Sequence, residues 1–296
     1  MHGPLDYFTF CCIVLHKKKV PTGNIHQLQS AHPKAKKRLG QNFLIDENIR
    51  DIIIGAADLS ASDTVLEVGP GVGILTEKLA ERAGRVVAVE LDDSLAKRLK
   101  GKMGGHRNLE VVHADILDVN LKVILGTSRS YKVVANIPYY ITSPILHLFM
   151  HGELKPGLMV IMMQEEVAED VTARPGKMNF LSVSMQICSR PEIVCRVPAQ
   201  SFYPPPKVDS AVVKFSMLSE PAIKVENMDG FLQFVHSGFA APRKQLRNSL
   251  AIGLKKEPVQ AEELLKLAKI DPQRRPGTLE LAEWRDLYCI TGGISC

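Results

Sequence analysis

The sequence predicts an α/β protein with a mostly parallel sheet, an antiparallel edge strand and a small C-terminal all-helical domain. Apolar, β-branched runs recur at fairly even intervals over the first two thirds of the chain, and helix-like stretches separate most of them. Continuous apolar strands that alternate with helices are typical of a parallel sheet covered on both faces. After about residue 220 only helical patterns with short connections follow.

Five runs are predicted to be strands of the parallel sheet: TVLEVG (64–69), RVVAVEL (85–91), LEVVHADI (109–116), YKVVANI (131–137) and LMVIMM (158–163). Two later runs, EIVCRV (192–197) and SAVVKF (210–215), flank the proline-rich PAQSFYPPPKVD, and the prolines exclude an α-helix between them. Two strands joined without a crossover helix predict an antiparallel edge.

The chain divides into three predicted regions. Residues 1–38 are expected to be a poorly ordered N-terminal extension, residues 39–219 the sheet domain and residues 220–296 the helical domain. The four helical patterns of the last region are MDGFLQFVHSGFA, QLRNSLAIGL, VQAEELLKLAKI and LELAEWRDLYCI.

Composition restricts the class of protein. The 296 residues are 45% hydrophobic and 23% charged, which is ordinary for a soluble globular protein. The net charge of +5 is modest, but the cations cluster, and such clusters favour a polyanionic partner such as nucleic acid. These clusters are HKKK (16–19), KAKKR (34–38), PRKQLR (242–247) and RR (274–275).

Neither a metal site nor a membrane anchor is predicted. The six cysteines include no C-x-x-C pair and no histidine at zinc-ligand spacing, so we expect reduced thiols in an intracellular, cytoplasmic protein. The apolar segment at 5–15 is too short to span a bilayer, and its positive charges follow it, which is the wrong order for a signal peptide.

A glycine-rich loop follows the first predicted strand. In LEVGPGVGILTEKLA, Gly69, Gly71 and Gly73 stand between a strand and a helix start, where glycine lets the backbone approach a ligand. The spacing differs from the G-x-G-x-x-G dinucleotide fingerprint, because the third glycine comes one residue early. Glu67 just before the loop disfavours a pyrophosphate and suits a cationic ligand. The loop therefore indicates S-adenosylmethionine rather than NAD.

Polar residues also stand at the ends of the next three predicted strands: Glu90, Asp115 and Asn136. A carboxylate at Glu90 suits ribose hydroxyls, and one at Asp115 suits an adenine amino group. Taken singly, either acid is more often a helix N-cap. Because the carboxyl ends of parallel strands share one crevice, four successive polar ends favour a common ligand site.

The last of these ends opens the stretch NIPYYITSP (136–144). The side-chain oxygen of Asn136 and the carbonyl of Ile137 are suitable acceptors for an amine, and Pro138 fixes the direction of that carbonyl. The Tyr139 ring offers a face on which a base can stack. The alternative interpretation is a strand-end turn with core tyrosines, and no role is assigned to Tyr140.

Taken in order along the chain, LGQNFLID (39–46), EVGPGVGILT, Glu90, Asp115, NIPYYITSP, SFYPPPKVDSAVVKF (201–215) and FAAPRKQLRNSL (239–250) resemble the KsgA-type ribosomal RNA adenine dimethyltransferases. The resemblance runs from about Leu39 to the C-terminus. It implies a Rossmann-like class I methyltransferase domain with a small helical domain. The implied reaction transfers methyl groups from S-adenosylmethionine to the N6 amines of two adjacent adenosines, in a hairpin loop near the 3′ end of small-subunit rRNA.

The resemblance also implies roles for individual residues. Gln41, Asn42 and Leu44 would hold the methionine end of the cofactor, Gly69 and Gly71 would pass beneath it, and Glu90, Asp115 and Asn136 would complete the cofactor site. Asn136 to Tyr139 would form the target-base pocket. From the basic clusters we expect RNA contacts by six residues: Lys36, Lys37, Arg38, Arg243, Lys244 and Arg247. One departure from the family pattern is Ala241-Pro242, where consecutive basic residues are expected; the proline predicts a helix break or start.

Two alternatives remain open from the sequence. An Erm-type enzyme, which dimethylates a large-subunit rRNA adenosine, shares the cofactor motifs and Asn-Ile-Pro, although YPPPKVDSAVV and RKQLRNSL favour the KsgA type. The second alternative is an RNA-binding ribosome-assembly factor whose catalysis is secondary. The preferred interpretation implies a monomer that acts on the immature 30S particle.

Overall fold

The computed structural model describes residues 35–126 and 130–292. Predictions about residues 1–34, including the poorly ordered extension, the apolar segment and the HKKK cluster, lie outside the described residues. Nine strands are found in the described part of the chain: β1 (Phe43–Leu44), β2 (Thr64–Val68), β3 (Arg85–Glu90), β4 (Leu109–His113), β5 (Lys132–Asn136), β6 (Leu158–Gln164), β7 (Ser189–Val197), β8 (Phe202–Tyr203) and β9 (Ser210–Met217).

Eleven α-helices accompany these strands within the same residues: α1 (Glu47–Ala56), α2 (Ile74–Arg82), α3 (Asp93–Lys102), α4 (Leu121–Leu125), α5 (Thr142–His151), α6 (Glu165–Thr172), α7 (Phe180–Cys188), α8 (Met228–Gly238), α9 (Leu246–Leu254), α10 (Pro258–Leu267) and α11 (Leu281–Gly292). Each predicted strand and helix is present, with boundaries that differ by a few residues.

The main sheet has the order β4-β3-β2-β5-β6-β9-β7. Strands β2 to β6 are parallel, whereas β9 pairs antiparallel with both β6 and β7. The predicted antiparallel edge is thus confirmed. Because the chain proceeds from β2 outward to β4 and then returns to the other side of β2, the strand order reverses between β2 and β5. Ligands of open α/β sheets bind at such a reversal.

Side chains of the strands alternate between two apolar layers, as the two-residue period of a strand requires. In β2, Val65 packs with helices α1 and α2, whereas Leu66 and Val68 face the opposite layer. That opposite layer continues without a break into the helical domain, and it includes Phe231 and the fully buried Trp284. The two predicted domains therefore share one buried cluster, and the boundary at residue 219 stays a prediction.

The connection between β7 and β9 contains no α-helix, as its prolines predicted. It forms a 3₁₀ turn at Ala199–Ser201 and then β8, which pairs antiparallel with β1. This small two-stranded sheet was not predicted, because strands of two residues give no periodic signal. It fixes the N-terminal segment against the carboxyl edge of the main sheet.

Pro242 lies in the turn between α8 and α9 and neither begins nor interrupts a helix, so the prediction of a helix boundary at this residue is wrong. Helix α8 already ends at Gly238, four residues earlier. The turn is held by the Ser249 hydroxyl, which accepts a hydrogen bond from the Ala241 N–H at 2.9 Å.

Among the described helices none is both long and apolar enough to cross a membrane. Of the described cysteines, Cys188 and Cys195 are buried and form no disulfide bond, whereas Cys289 forms one, so the prediction of reduced cysteines is wrong for Cys289.

Candidate cofactor and base-binding site

A cavity of about 1090 Å³, including its open mouth, lies at the carboxyl edge of the sheet where the strand order reverses. Residues from all four predicted strand ends and from the N-terminal segment line it. Every residue predicted for the cofactor or the target base is among them: Gln41, Asn42, Leu44, Gly69, Gly71, Glu90, Asp115, Asn136, Ile137, Pro138 and Tyr139. The structure therefore brings these separate motifs to one place.

The glycine loop forms the floor of this cavity. Gly69 and Gly71 have φ angles of +66° and +58°, a region that side chains rarely adopt. A Cβ atom on Gly71 would also meet the Phe43 ring at 3.2 Å. Glycine is required here both for the backbone conformation and for the close approach of Phe43.

Glu90 ends β3 with its carboxylate held by the backbone. Its Oε2 accepts the Gly71 N–H at 3.0 Å, and its Oε1 accepts the Asp92 N–H at 2.9 Å. Burial raises the pKa of Glu90, while these two hydrogen bonds act in the opposite direction. Each oxygen keeps a further lone pair for a hydroxyl donor. Glu90 is not a helix N-cap; that role belongs to Asp92 at the start of α3.

Asp115 lies two residues beyond the end of β4, in a turn rather than on the predicted strand. Its Oδ1 accepts the Leu117 N–H at 3.0 Å and so fixes the turn. The side chain caps this turn and not a helix. The half-buried carboxylate faces the same cavity as Glu90 and leaves its Oδ2 oxygen without a partner among the described residues.

The buried carboxyl group of Glu67 indicates which charge the cavity suits in a ligand. The side chain is 1% exposed, and neither carboxylate oxygen has a hydrogen-bond partner among the described residues. Burial, aided by the neighbouring Glu90 carboxylate, raises the pKa of Glu67 to about 8, although the nearby Thr76 hydroxyl acts in the opposite direction. A buried carboxyl without a partner is costly, and a positively charged ligand group would satisfy it. The lining of the cavity therefore suits a positively charged ligand group, as the prediction of S-adenosylmethionine requires.

The segment 36–44 forms the roof of the cavity. Strand β1 pairs Phe43 with Tyr203 and Leu44 with Phe202, which holds the far end of the roof. At its near end, Gln41 donates through Nε2 to Asp92 Oδ2 at 3.0 Å. The roof is thus tied to β8 on one side and to the turn after β3 on the other.

Tyr140, which had no predicted role, lies against the roof. A Cβ atom on Gly40 would come within 3.2 Å of the Tyr140 ring, and Tyr140 also lines the cavity. The ring is 57% exposed, so it forms part of the cavity mouth and is not a core residue.

Asn136 is oriented by the roof. Its Nδ2 donates to the carbonyl oxygen of Asn42 at 3.4 Å, so its Oδ1 points away from that contact. Neither this Oδ1 nor the Ile137 carbonyl accepts a hydrogen bond from any residue that the structure describes. Pro138, with φ of −58°, sets the direction of the chain after Ile137. Two free acceptors therefore stand side by side at the cavity.

The Tyr139 side chain is half-buried, and its hydroxyl lies 2.6 Å from the hydroxyl of Ser210 at the start of β9. Burial raises the pKa of Tyr139, so the phenol stays neutral. The contact fixes the ring beside the acceptors of Asn136 and Ile137.

The residues predicted to contact RNA lie in two places. Arg38 is exposed in the 3₁₀ turn Lys37–Leu39, and Arg243 and Lys244 are exposed in the turn before α9. Two others are engaged within the protein: Lys36 pairs with Asp92 at 2.7 Å, and Arg247 with Glu262 at 3.0 Å.

Sequence reasoning missed three residues of the site. Phe43 lies within the GQNFL motif, but no role was predicted for it; in the structure its ring packs against Gly71 of the glycine loop. Asp92 follows Glu90 by two residues and stands directly before a predicted helix, and this position could have indicated that it belongs to the site. Ser210 gives no local signal, because it reaches Tyr139 from a strand 71 positions away.

Comparisons with known proteins agree with this geometry. The model of the family described as ribosomal RNA adenine dimethylase matches residues 32–288. The chain is 44% identical over 263 residues to ribosomal RNA small subunit methyltransferase A of Dehalococcoides mccartyi, covering 89% of this chain and 90% of that protein. It is 38% identical to the protein of the same name from Geobacillus thermodenitrificans, covering 92% and 97%.

Two solved structures are similar over most of the chain. The 23S rRNA methyltransferase ErmE is 31% identical with a TM-score of 0.68, covering 84% of this chain and 99% of ErmE. A dimethyladenosine transferase from Plasmodium falciparum is 27% identical with a TM-score of 0.72, covering 85% and 98%.

Proposed function

The chain belongs to the ribosomal RNA adenine dimethylase family, and from this premise we propose which RNA it modifies and which residues do so. It is a small-subunit-type rRNA adenine dimethyltransferase with a Rossmann-like fold. The proposed targets are the N6 amines of two adjacent adenosines in a hairpin loop near the 3′ end of small-subunit (16S) rRNA. The observation that carries the proposal is the pair of free acceptors at Asn136 and Ile137 beside the Tyr139 ring.

The chemistry requires these acceptors because the N6 amine of adenine is a poor nucleophile. Its lone pair is delocalised into the ring. Acceptors aimed at its two protons favour a tetrahedral nitrogen and stabilise the positive charge that develops on it. We assign the first proton to Asn136 Oδ1 and the second to the Ile137 carbonyl.

Tyr139 holds the target base in this proposal. Base–aromatic stacking contributes about 1–3 kcal/mol, which offsets much of the cost of taking a base out of its stack. The hydroxyl contact with Ser210 leaves the ring face, not its polar edge, for the base. No strong general base is needed, since the ammonium product is acidic and loses its proton to water. Positioning of the amine supplies much of the rate.

S-Adenosylmethionine supplies, when bound, the methyl group on its sulfonium. Gln41, Asn42 and Leu44 of the roof would hold its methionine end, and Gly69 and Gly71 would pass beneath it. Glu90 would accept hydrogen bonds from the ribose, and Asp115 from the adenine amine. The unpartnered carboxyl of Glu67 lines the same cavity and would lose its proton when a cationic group binds beside it, which supports a cationic ligand.

The Erm-type alternative is supported by the likeness to ErmE. Identity to the small-subunit relatives is nonetheless higher, at 38% and 44% against 31% for ErmE. The cofactor site does not separate the two functions, because Asn-Ile-Pro and the glycine loop belong to both. The choice of the small-subunit RNA therefore rests on the relatives and on the motifs of the C-terminal half.

A second candidate is an assembly factor that binds the immature 30S particle and whose catalysis is secondary. Exposed Arg38, Arg243 and Lys244 support binding to rRNA in either case. We propose that the enzyme is a cytoplasmic monomer that acts on this particle. Light scattering during size-exclusion chromatography measures the molar mass in solution, which should equal the 32.7 kDa of one chain. A mass of two or more chains would contradict the monomer.

One experiment tests the substrate. The protein is incubated with immature small subunits, naked small-subunit RNA or large-subunit RNA and with labelled cofactor, and the modified nucleotides are mapped. We expect two adjacent N6-dimethylated adenosines in small-subunit RNA. Label found solely in large-subunit RNA would establish the Erm-type function instead. Stable binding to the small subunit without methyl transfer would favour the assembly factor.

A further inference from the structure

We propose that Lys36 and Asp92 are positioning residues that form a latch with Gln41 and hold the roof, residues 36–44, closed over the cofactor cavity. This inference rests on the proposed function, because the roof is assigned to the cofactor. It gives Lys36 a different role from the RNA contact that its basic cluster predicted.

Asp92 is the centre of the latch. Its side chain is 1% exposed, yet it accepts hydrogen bonds from two separate parts of the chain. From the roof, Lys36 Nζ donates to Oδ1 at 2.7 Å and Gln41 Nε2 to Oδ2 at 3.0 Å. From its own helix, the Ser94 N–H and hydroxyl donate to Oδ1 at 3.0 and 2.6 Å.

Within the roof, Lys36 and Gln41 are also hydrogen-bonded to each other. The backbone N–H of Lys36 donates to Gln41 Oε1 at 2.8 Å, while the Gln41 amide nitrogen binds Asp92. Both ends of the Gln41 amide are therefore used, and its orientation is fixed. Since Gln41 lines the cavity, a change at Lys36 is transmitted to the cofactor surface through this amide.

The latch also reaches the floor of the site. The backbone N–H of Asp92 donates to Glu90 Oε1, and Glu90 Oε2 accepts the Gly71 N–H. Roof, ribose carboxylate and glycine loop are thus joined in one hydrogen-bonded chain. Charge-assisted contacts of this kind position their partners more strongly than neutral ones.

Opening the roof would remove Lys36 and Gln41 from Asp92 together. Burial by itself raises the pKa of Asp92, but the hydrogen bonds from Lys36, Ser94 and Gln41 outweigh it and hold that pKa well below its usual range. The carboxylate is therefore charged, and its charge-assisted hydrogen bonds with Lys36 and Gln41 exist only while the roof is closed. The closed roof is favoured for this reason, and the cavity is preformed for the cofactor.

The test separates cofactor binding from catalysis and from RNA binding. Lys36→Gln removes the cation, and because Lys36 is 41% exposed the fold should tolerate the change. We expect the affinity for S-adenosylhomocysteine, measured by calorimetry, to fall about tenfold, the low end for a charge-assisted contact at a half-exposed site. The KM for S-adenosylmethionine should rise by the same factor, with kcat within about twofold of the wild type at saturating cofactor and RNA.

Three comparisons complete the design. Lys36→Arg keeps the charge and should restore binding, whereas Asp92→Asn should weaken it at least as much as Lys36→Gln. Lys97→Gln is the matched control, because Lys97 pairs with exposed Asp93 on the same helix, and its affinity should equal that of the wild type.

The outcomes are distinguishable. Unchanged S-adenosylhomocysteine affinity in Lys36→Gln, with or without a loss of RNA affinity, would overturn the latch and favour the RNA contact. A fall in kcat at unchanged KM would overturn it as well. A wild-type protein that binds no S-adenosylhomocysteine would instead overturn the proposed function.

Discussion

The hydroxyl groups of Tyr139 and Ser210 lie 2.6 Å apart and join the 3₁₀ turn after β5 to the start of β9. Ser210 is fully buried, so it provides a fixed anchor. The ring assigned to the target base is therefore positioned by a strand that runs antiparallel to both of its neighbours. This contact explains why the SFYPPPKVDS stretch matters to the site without lining the cofactor cavity.

Ser210→Ala should lower kcat/KM for RNA by about threefold to tenfold, the range for losing one neutral hydrogen bond. Tyr139→Phe removes the same hydrogen bond from the other side, and the double variant should be no worse than either single one. Ser189→Ala, at another fully buried serine, is the control and should keep full activity. Additive losses in the double variant would show that the two hydroxyls act independently.

Asn136→Ala should reduce methyl transfer by about 10²–10³-fold, the effect of removing one group that stabilises developing charge. RNA binding should stay within about twofold of the wild type, because Asn136 is within the cavity and not on the surface. Filter binding and single-turnover transfer measure the two effects separately. Asn120→Ala, which removes an exposed helix cap, is the control. Parallel loss of RNA binding and transfer would mean that Asn136 is structural.

Gly71→Ala should abolish cofactor binding and lower the unfolding free energy by about 1–2 kcal/mol. The physical reason is its φ of +58° together with the Phe43 ring 3.2 Å from the added Cβ. Gly55→Ala is the matched control, since that helical glycine has open space around it and should be neutral or stabilising. Calorimetry with S-adenosylhomocysteine and thermal unfolding report the two effects. Equal behaviour of both variants would contradict the assigned role of the loop.

Cofactor affinity should rise with pH through the pKa of Glu67, about 8 in the free protein. Below that value the carboxyl is neutral, and a cationic ligand must displace its proton; above it the carboxylate is already charged and the affinity levels off. Glu67→Gln should bind the cofactor more weakly at about pH 8.5 than the wild type and lose this pH dependence. The variant also controls for titration of the ligand itself. A pH profile shared by both proteins would exclude Glu67 as the cause.

Replacing both Arg243 and Lys244 by Gln should weaken RNA binding and reduce its salt dependence by roughly one counterion for each phosphate that is no longer neutralised. Affinity for S-adenosylhomocysteine should not change, because this exposed turn is not part of the cavity lining. Lys224→Gln, at an exposed lysine paired with Glu220, is the control. A salt slope equal to that of the wild type would remove these residues from the RNA interface.

Much of the fold could be predicted, because the hydrophobic period of each strand is a local property. Strands β3 and β5 end at Glu90 and Asn136, one residue before the ends of the predicted runs, and both residues line the same cavity; their assignment to a common ligand site stays a prediction. Asp115 was placed on a strand but lies in the following turn, since its own side chain caps that turn. Pro242 was placed at a helix boundary, although the preceding helix had already ended.

The sequence by itself determined the alternation of strands and helices, the glycine loop, the acceptors of Asn136 and Ile137, and the family. All of these depend on residues that are close together in the chain or on motifs that keep their order. Only the tertiary structure decided that Lys36 pairs with Asp92, that Ser210 holds Tyr139, and that Tyr140 lies against Gly40. These contacts join residues 56, 71 and 100 positions apart, and no local period or propensity encodes such a distance.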